Sequence, residues 1–355
     1  MDKEFTNYLY ALRNHVEAGD TPENSSELSE LLVETANYLN SDERWQEEVY
    51  LKQQDKQAVM HELQKGLTTI DNQESPEEFT NKPGVKVYLE NGFLFTERNE
   101  KLTLGDLLTG SEWNIDYNLD PETVPRSIRK RYLVEKTKAE LRELTDWQIY
   151  FDQAFSKDTH ELRQIAYYEA MENTKLQREG KNPKTGVLLE KMVRTFMKKL
   201  SINHSLNYEV QESDLFRDVI QKIDFIIQIK EHHRGVRFSE SEELDLQNIG
   251  IQFTITTDPD KLSLKERQIA RSKQELLDSD SVDDIVLATL FTKESSQLSK
   301  AYEAWNRSES KQTPDAFLSA GMKEHLFKKL LGDTQHMMDA DIDTEWNKIT
   351  RSGIT

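Results

Sequence analysis

The sequence predicts an α+β (or α/β) protein: a helical N-terminal half followed by a C-terminal α/β core, a central mixed sheet flanked by helices. Three observations carry that expectation. Apolar residues recur at helical spacing through residues 1–70. Two-residue alternation appears only later. Between Lys184 and Ala304, segments with helical and strand character follow one another as helix, three strands, helix, strand and helix.

The chain of 355 residues is long enough for two or three domains. Charged residues make up 31% and hydrophobic residues 36%, a polar composition. Cysteine is absent, which removes disulfides, thiolate nucleophiles and Cys-based zinc sites. No apolar run approaches the roughly 18–20 residues of a membrane span. The start, Met1-Asp2-Lys3-Glu4-Phe5, lacks the basic and apolar regions of a signal peptide. A cytoplasmic protein without membrane contact is expected.

The net charge of -19 is uneven. Residues 1–80 hold 6 Lys/Arg against 18 Asp/Glu, whereas residues 181–240 hold 11 against 8. An acidic chain repels polyanions at long range, which counts against general coating of nucleic acid. The one basic window leaves room for a local polyanion site.

The elements follow in order. Phe5, Tyr8, Leu9, Leu12 and Val16 mark a first helix, closed by Gly19-Asp20-Thr21-Pro22. Leu28, Leu31, Leu32, Thr35, Ala36 and Leu39 mark a second. Trp45, Val49, Val59, Leu63 and Leu67 mark a longer third. These form an acidic bundle or arm over residues 1–75, with a protein partner as the minority use of residues 1–70. A polar connector over 71–83 leads to a mixed region, 84–178. It opens with a hairpin around Asn91-Gly92, since that pair favours the positive φ of a two-residue turn. Leu102–Leu108 reads as a short helix or turn and Trp113–Leu119 as irregular. A long helix runs from about Ser127 to Phe155. At its start Arg126, Arg129, Lys130 and Arg131 oppose the helix dipole, so a phosphate, an acidic neighbour or solvent must compensate them.

The α/β core is placed at 184–310. A helix over Thr185–Leu200, capped by Thr185, carries Glu190 and, four residues on, Arg194. Strands are expected at Leu206–Val210, Lys222–Ile229 and Ile249–Thr256. Alternation puts Lys222, Asp224, Ile226 and Gln228 on one face and Ile223, Phe225, Ile227 and Ile229 on the other. Gln252 and Thr254 likewise oppose Ile251 and Phe253. A helix near Leu262–Leu277, a strand at Asp283–Phe291 and a helix at Ser295–Arg307 complete the unit. Residues 311–355 supply a helix over Pro314–Leu331 and an acidic, frayed tail.

This order, with Glu190 on the helix, Asp224 on one strand and Gln252-Phe253-Thr254 on the next, resembles the PD-(D/E)XK nuclease superfamily. The resemblance covers about residues 184–305 and implies a restriction-endonuclease-like core. It implies that Glu190, Asp224 and Gln252 bind Mg2+ or Mn2+ for hydrolysis of DNA or RNA phosphodiesters, as an endonuclease or exonuclease. Clustered oxygen ligands suit such hard cations, which generate hydroxide and screen phosphate. Thr254 stands where the family has lysine and cannot supply its charge. Lys222 is the best substitute, with Lys191 and Arg194 behind it. Lys184, Lys191 and Arg194, with Arg126, Arg129, Lys130 and Arg131, are the candidate nucleic-acid contacts.

Other motifs carry less. His61-Glu62 lacks the second histidine of a zinc helix. The adjacent His232-His233 would point apart on a strand end, and His336 sits in the tail. Asp339, Asp341 and Asp343 lack the glycine and glutamate of a calcium loop. Three functions compete: a metal-dependent nuclease, a catalytically degenerate relative that binds nucleic acid or protein, and a helical interaction protein.

Overall fold

A computed structural model of the chain describes residues 7–8, 11–12, 14–15, 25–41, 43–72, 84–155, 161–178, 185–230, 246–256, 258–276, 282–334 and 339–351. The fold is mixed α+β and mostly helical, with two small mixed sheets. Among the described residues no helix is long and apolar enough to cross a membrane.

Helix α1 (Ser26–Ser41) buries Leu28, Leu32 and Thr35, and with Leu12 it forms a small apolar cluster. Helix α2 (Glu43–Asn72) turns Met60, Leu63, Leu67 and Ile70 inward, whereas Val59, expected on that stripe, is half exposed. Phe5, Leu9, Val16 and most of the polar connector, 73–83, lie outside the described residues.

The hairpin forms as expected. Strands β1 (Val85–Glu90) and β2 (Phe93–Thr96) flank Asn91 at φ 50° and Gly92 at φ 81°, the two positive φ values of a tight hairpin turn. Strand β3 (Lys101–Leu102) and the short helix α3 (Leu104–Thr109) follow. A capping box starts α3: Thr103 and Asp106 each accept a backbone N–H of the other. Part of Trp113–Leu119, read as irregular, is strand β4 (Tyr117–Leu119), parallel to β1. The first sheet runs β3-β2-β1-β4.

Helix α4 (Arg126–Phe155) carries α2 along its length, running antiparallel. Gln53 reaches Asp152 at 3.2 Å, Lys56 Nζ lies 4.5 Å from the Trp147 ring centre, and Met60 meets Thr145 at 3.8 Å. Helix α5 (Glu161–Arg178) packs beside α4, burying Tyr167 and Met171 against Tyr150 and Phe151.

Helix α6 (Thr185–His204) then lies between the two sheets. Its face of Leu189, Met192, Val193, Phe196, Met197 and Leu200 is buried in the main core, a single apolar cluster that spans Val87 to Ile349. Thr185, expected as a cap, is the first residue of the helix itself. Strand β5 (Tyr208–Glu212) pairs antiparallel with β6 (Phe225–Lys230), and β6 pairs antiparallel with β7 (Leu246–Thr254). After α7 (Pro259–Leu276), strand β8 (Asp284–Thr289) joins β7 in parallel. One face of this sheet (Phe225, Ile227, Ile249, Ile251, Phe253) meets α6, and the other (Ile226, Ile285) meets Ile269 of α7.

Two expectations at the C-terminus are corrected. Pro314–Leu331 is not one helix. A 3-10 turn (Pro314–Phe317) holds Asp315 against Lys199 at 2.9 Å, and α9 (Ala320–Asp333) restarts at the Ser319 cap. The tail is not frayed throughout: α10 (Asp339–Arg351) buries Ile342, Trp346 and Ile349, with Trp346 5.3 Å from the Phe327 ring. An apolar stripe at helical spacing outweighs the acidic residues on the outer face. Helix α8 (Thr292–Arg307) packs on α6 and the 3-10 turn, with Trp305 edge to face against Trp113 at 5.5 Å.

Gly110 shows how tightly the end of α3 and β4 are joined. A Cβ there would fall 2.8 Å from the Tyr117 hydroxyl oxygen, and that hydroxyl is held by the Lys311 carbonyl at 2.6 Å. Its φ of -60° is ordinary, so only the steric clash acts. Gly110→Ala should therefore destabilise the protein by about 1–3 kcal/mol, read as a lower denaturant midpoint at unchanged m-value.

Candidate active site

A cleft of about 1200 Å³ opens between the second sheet and the helical layer. The sheet side contributes the first turns of α6, the segment between β5 and β6, the end of β7 and the first turns of α7. The helical side contributes α4, α5 and the residues before β4.

The π-helical turn Arg217–Gln221 departs from what alternation suggested. It ends on Lys222 at φ 58°, and β6 begins only at Phe225. Lys222 is therefore not a strand residue. Ile223 does not share the face of Phe225; it packs with Ile226 and Ile285 on the α7 side. The turn has a functional consequence, because it brings Asp218 back onto Asp224. Asp218 hydrogen-bonds Asp224, and Asp224 Oδ2 accepts the Phe253 N–H at 2.5 Å while its own N–H donates to Ile251 O at 2.8 Å.

Glu190 enters the same cleft from α6. Burial pushes its carboxyl well above the ordinary range, and the charge of Asp224 adds to the shift, opposed by Arg194. Burial and Asp218 likewise raise Asp224 to about 7, against the pull of Phe253 N–H, Lys265 and Lys222. Asp218 is raised as well, chiefly by burial. Burial lowers the Lys222 ammonium, although Asp218 and Asp224 work against that shift. Lys265 Nζ stands 3.4 Å from the Phe253 carbonyl. Three carboxylates and two lysines thus share one end of the cleft.

Arg194 anchors the floor. It is 7% exposed and meets Glu212 at 2.9 Å, Glu190 at 3.3 Å and Glu112 at 3.6 Å. Glu112 also takes Lys198 at 2.9 Å, and Arg142 pairs with Glu212. Burial alone would raise Glu112; Lys198 and Arg194 outweigh it and hold the carboxyl at about 2.

Among the sequence-derived candidates, the structure brings Glu190, Lys222, Asp224 and Thr254 to this cleft, with Lys191 and Arg194. Gln252 does not line it. Gln252 is 5% exposed, and its Oε1 has no hydrogen-bond partner among the described residues. Arg194 is committed to three carboxylates, so it is a poor phosphate contact. Lys191 Nζ lies 4.7 Å from the Trp113 ring centre. Arg126, Arg129, Lys130 and Arg131 are outside the cleft, whose α4 lining begins at Lys136, roughly 8–15 Å further along the axis. Arg129 Nε instead donates to the Val124 carbonyl at 3.2 Å. Lys184, His232, His233 and His336 lie outside the described residues.

Sequence reasoning missed Asp218, Lys261, Lys265, Glu112 and Glu212. The stretch Phe216–Gln221 has neither helical nor strand period, so nothing marked Asp218. The lysines of α7, four apart, carried only the ordinary signal of a solvated helix face. Among the described residues no three His, Asp or Glu side chains stand in ligating geometry for a metal ion. The chain matches no protein-family model, no curated protein and no solved structure.

Two outcomes follow from this electrostatic arrangement. Between about pH 4 and pH 7 the unfolded chain has released the proton that folded Asp224 keeps, so stability falls as pH rises through that window. Asp224→Asn removes the repulsion and should raise stability above pH 7 by about 1–3 kcal/mol, less than the full shift because Asp218 shares the titration. Arg194→Ala leaves buried carboxylates without their partner and should cost about 3–5 kcal/mol. Denaturant titrations at pH 5 and pH 8 read both.

Proposed function

We propose that the chain is a metal-dependent phosphodiesterase of degenerate PD-(D/E)XK type, with its restriction-endonuclease-like core at residues 184–310. The observation that carries this reading is the convergence of Glu190 and Asp224, distant in sequence, into one cleft where both carboxyls are raised by burial and the charge of Asp224 adds to the cost of ionising Glu190. Repulsive carboxylates held together by the fold are what a divalent cation relieves. The element order from α6 to α8 agrees with the family order.

The donor set suits Mg2+ or Mn2+ in kind, being hard oxygens from Glu190, Asp218 and Asp224. In the described arrangement it is not drawn into ligating geometry. When bound, such an ion supplies hydroxide near neutral pH and screens a phosphodiester. The chain's own residues do the rest. Phe253 N–H orients the Asp224 carboxylate. Lys222 and Lys265 stand beside the acids as the cations that Thr254 does not provide, and both can meet the charge that develops on a phosphoryl oxygen. Asp218 takes the position in the acid group expected for Gln252.

A second reading, a non-catalytic relative that binds nucleic acid or protein, is favoured by one feature: Gln252 is turned away from the cleft with its Oε1 unpartnered. Cleavage assays separate the two. With Mn2+ or Mg2+ the full chain should hydrolyse a labelled oligonucleotide. Asp224→Asn and Glu190→Gln should each lose at least about a hundredfold in rate, and Lys222→Met about tenfold or more. Folded, cation-loaded protein with no turnover above the variants would favour the binding module.

A further inference from the structure

The cleft is asymmetric in charge, and the asymmetry bears on the substrate. On the sheet side Lys222, Lys261 and Lys265 line it, the last two one turn apart on α7. On the helical side the lining is acidic or small: Glu140, Glu143 and Asp146 on α4, then Ala166, Glu169 and Ala170 on α5. The cations of that side among the described lining residues are engaged. Lys136 pairs with Asp116 at 2.6 Å, and Arg142 pairs with Glu212. The cleft is slightly larger than the ~300–1,000 Å³ that typically buries a small ligand.

We infer that the cleft accepts a short single-stranded segment, its phosphates along the lysines of α7 and its bases toward the acidic helices, and rejects a continuous duplex. The inference rests on the phosphodiesterase reading and names its substrate class. A single strand has one phosphate edge and one base edge. The phosphate edge meets Lys261, Lys265 and Lys222, while carboxylates on the other wall can accept from amino groups of exposed bases. A duplex carries phosphates on both edges, about one charge per 1.7 Å of axis. One of those edges would face Glu140, Glu143, Asp146 and Glu169, where the cations among the described lining residues, Lys136 and Arg142, are already paired. The basic tetrad at the start of α4 does not alter this, because it lies outside the cleft.

The test compares initial cleavage rates of the full chain with Mn2+ on a short single-stranded DNA, the same sequence as RNA, a blunt duplex of that sequence, and bis(p-nitrophenyl) phosphate. The inference expects at least one single strand to be cut about tenfold or more faster than the duplex, with the DNA and RNA arms distinguishing the sugar. A Glu140→Lys/Glu169→Lys variant should narrow that preference at least about threefold. A duplex cut as fast as the single strands, or a preference unmoved by the variant, overturns the inference and leaves the phosphodiesterase reading standing. Hydrolysis of the chromogenic diester alone does the same. No cleavage in any arm overturns both.

Discussion

The buried guanidinium of Arg194 is the contact on which the rest of the structure depends. It sits midway along α6, and through Glu190, Glu212 and Glu112 it ties that helix to the second sheet and to the turn before β4. Five residues on, Lys199 does the same on another side, meeting Asp106 of α3 at 2.6 Å and Asp315 at 2.9 Å. Buried ion pairs rarely add net stability over an apolar substitute, but removing one partner is costly because the other stays behind uncompensated. Here that cost locks the orientation of α6. The helix cannot rotate about its axis without stranding charge, so Glu190 faces the cleft.

The cleft acids are balanced differently. Arg194 serves Glu112 and Glu212 well; Glu112 is held low, and Glu212 is lowered too once its cations outweigh burial. Glu190, Asp218 and Asp224 are all raised chiefly by burial; Asp224 and Asp218 add to the shift of Glu190, and Asp218 adds to that of Asp224. One network therefore ends as settled structure and the adjoining one as strain. Stabilising the second group by substitution is expected to remove the proposed chemistry, as is common where a site is kept costly for function.

Much of this could be read in advance. The Asn91-Gly92 turn, the helix of Glu190 and the three strands followed by a fourth lie where periodicity put them, with ends shifted by a few residues. Asp224 stood out because a carboxylate in an apolar strand needs a reason, and Glu190 through the resemblance in element order. The rest depended on backbone geometry that side-chain period does not encode. A π-helical turn and a left-handed Lys222 replace the first three residues of the expected strand, and they deliver Asp218 to the site and take Ile223 to the opposite face. Partners such as Glu112 and Arg194 are joined only by tertiary packing. The tail became a helix because Ile342, Trp346 and Ile349 complete the core, a contact that acidic composition concealed.

On the proposed reading, protons among Glu190, Asp218 and Asp224 stand in for a divalent cation. Calorimetric titration of Mn2+ into the full chain near pH 7, repeated in buffers of different ionisation enthalpy, measures this directly. The account predicts binding accompanied by release of about one proton per ion, with both signals lost in Asp224→Asn. Binding with no proton release, or unchanged binding in that variant, would contradict it.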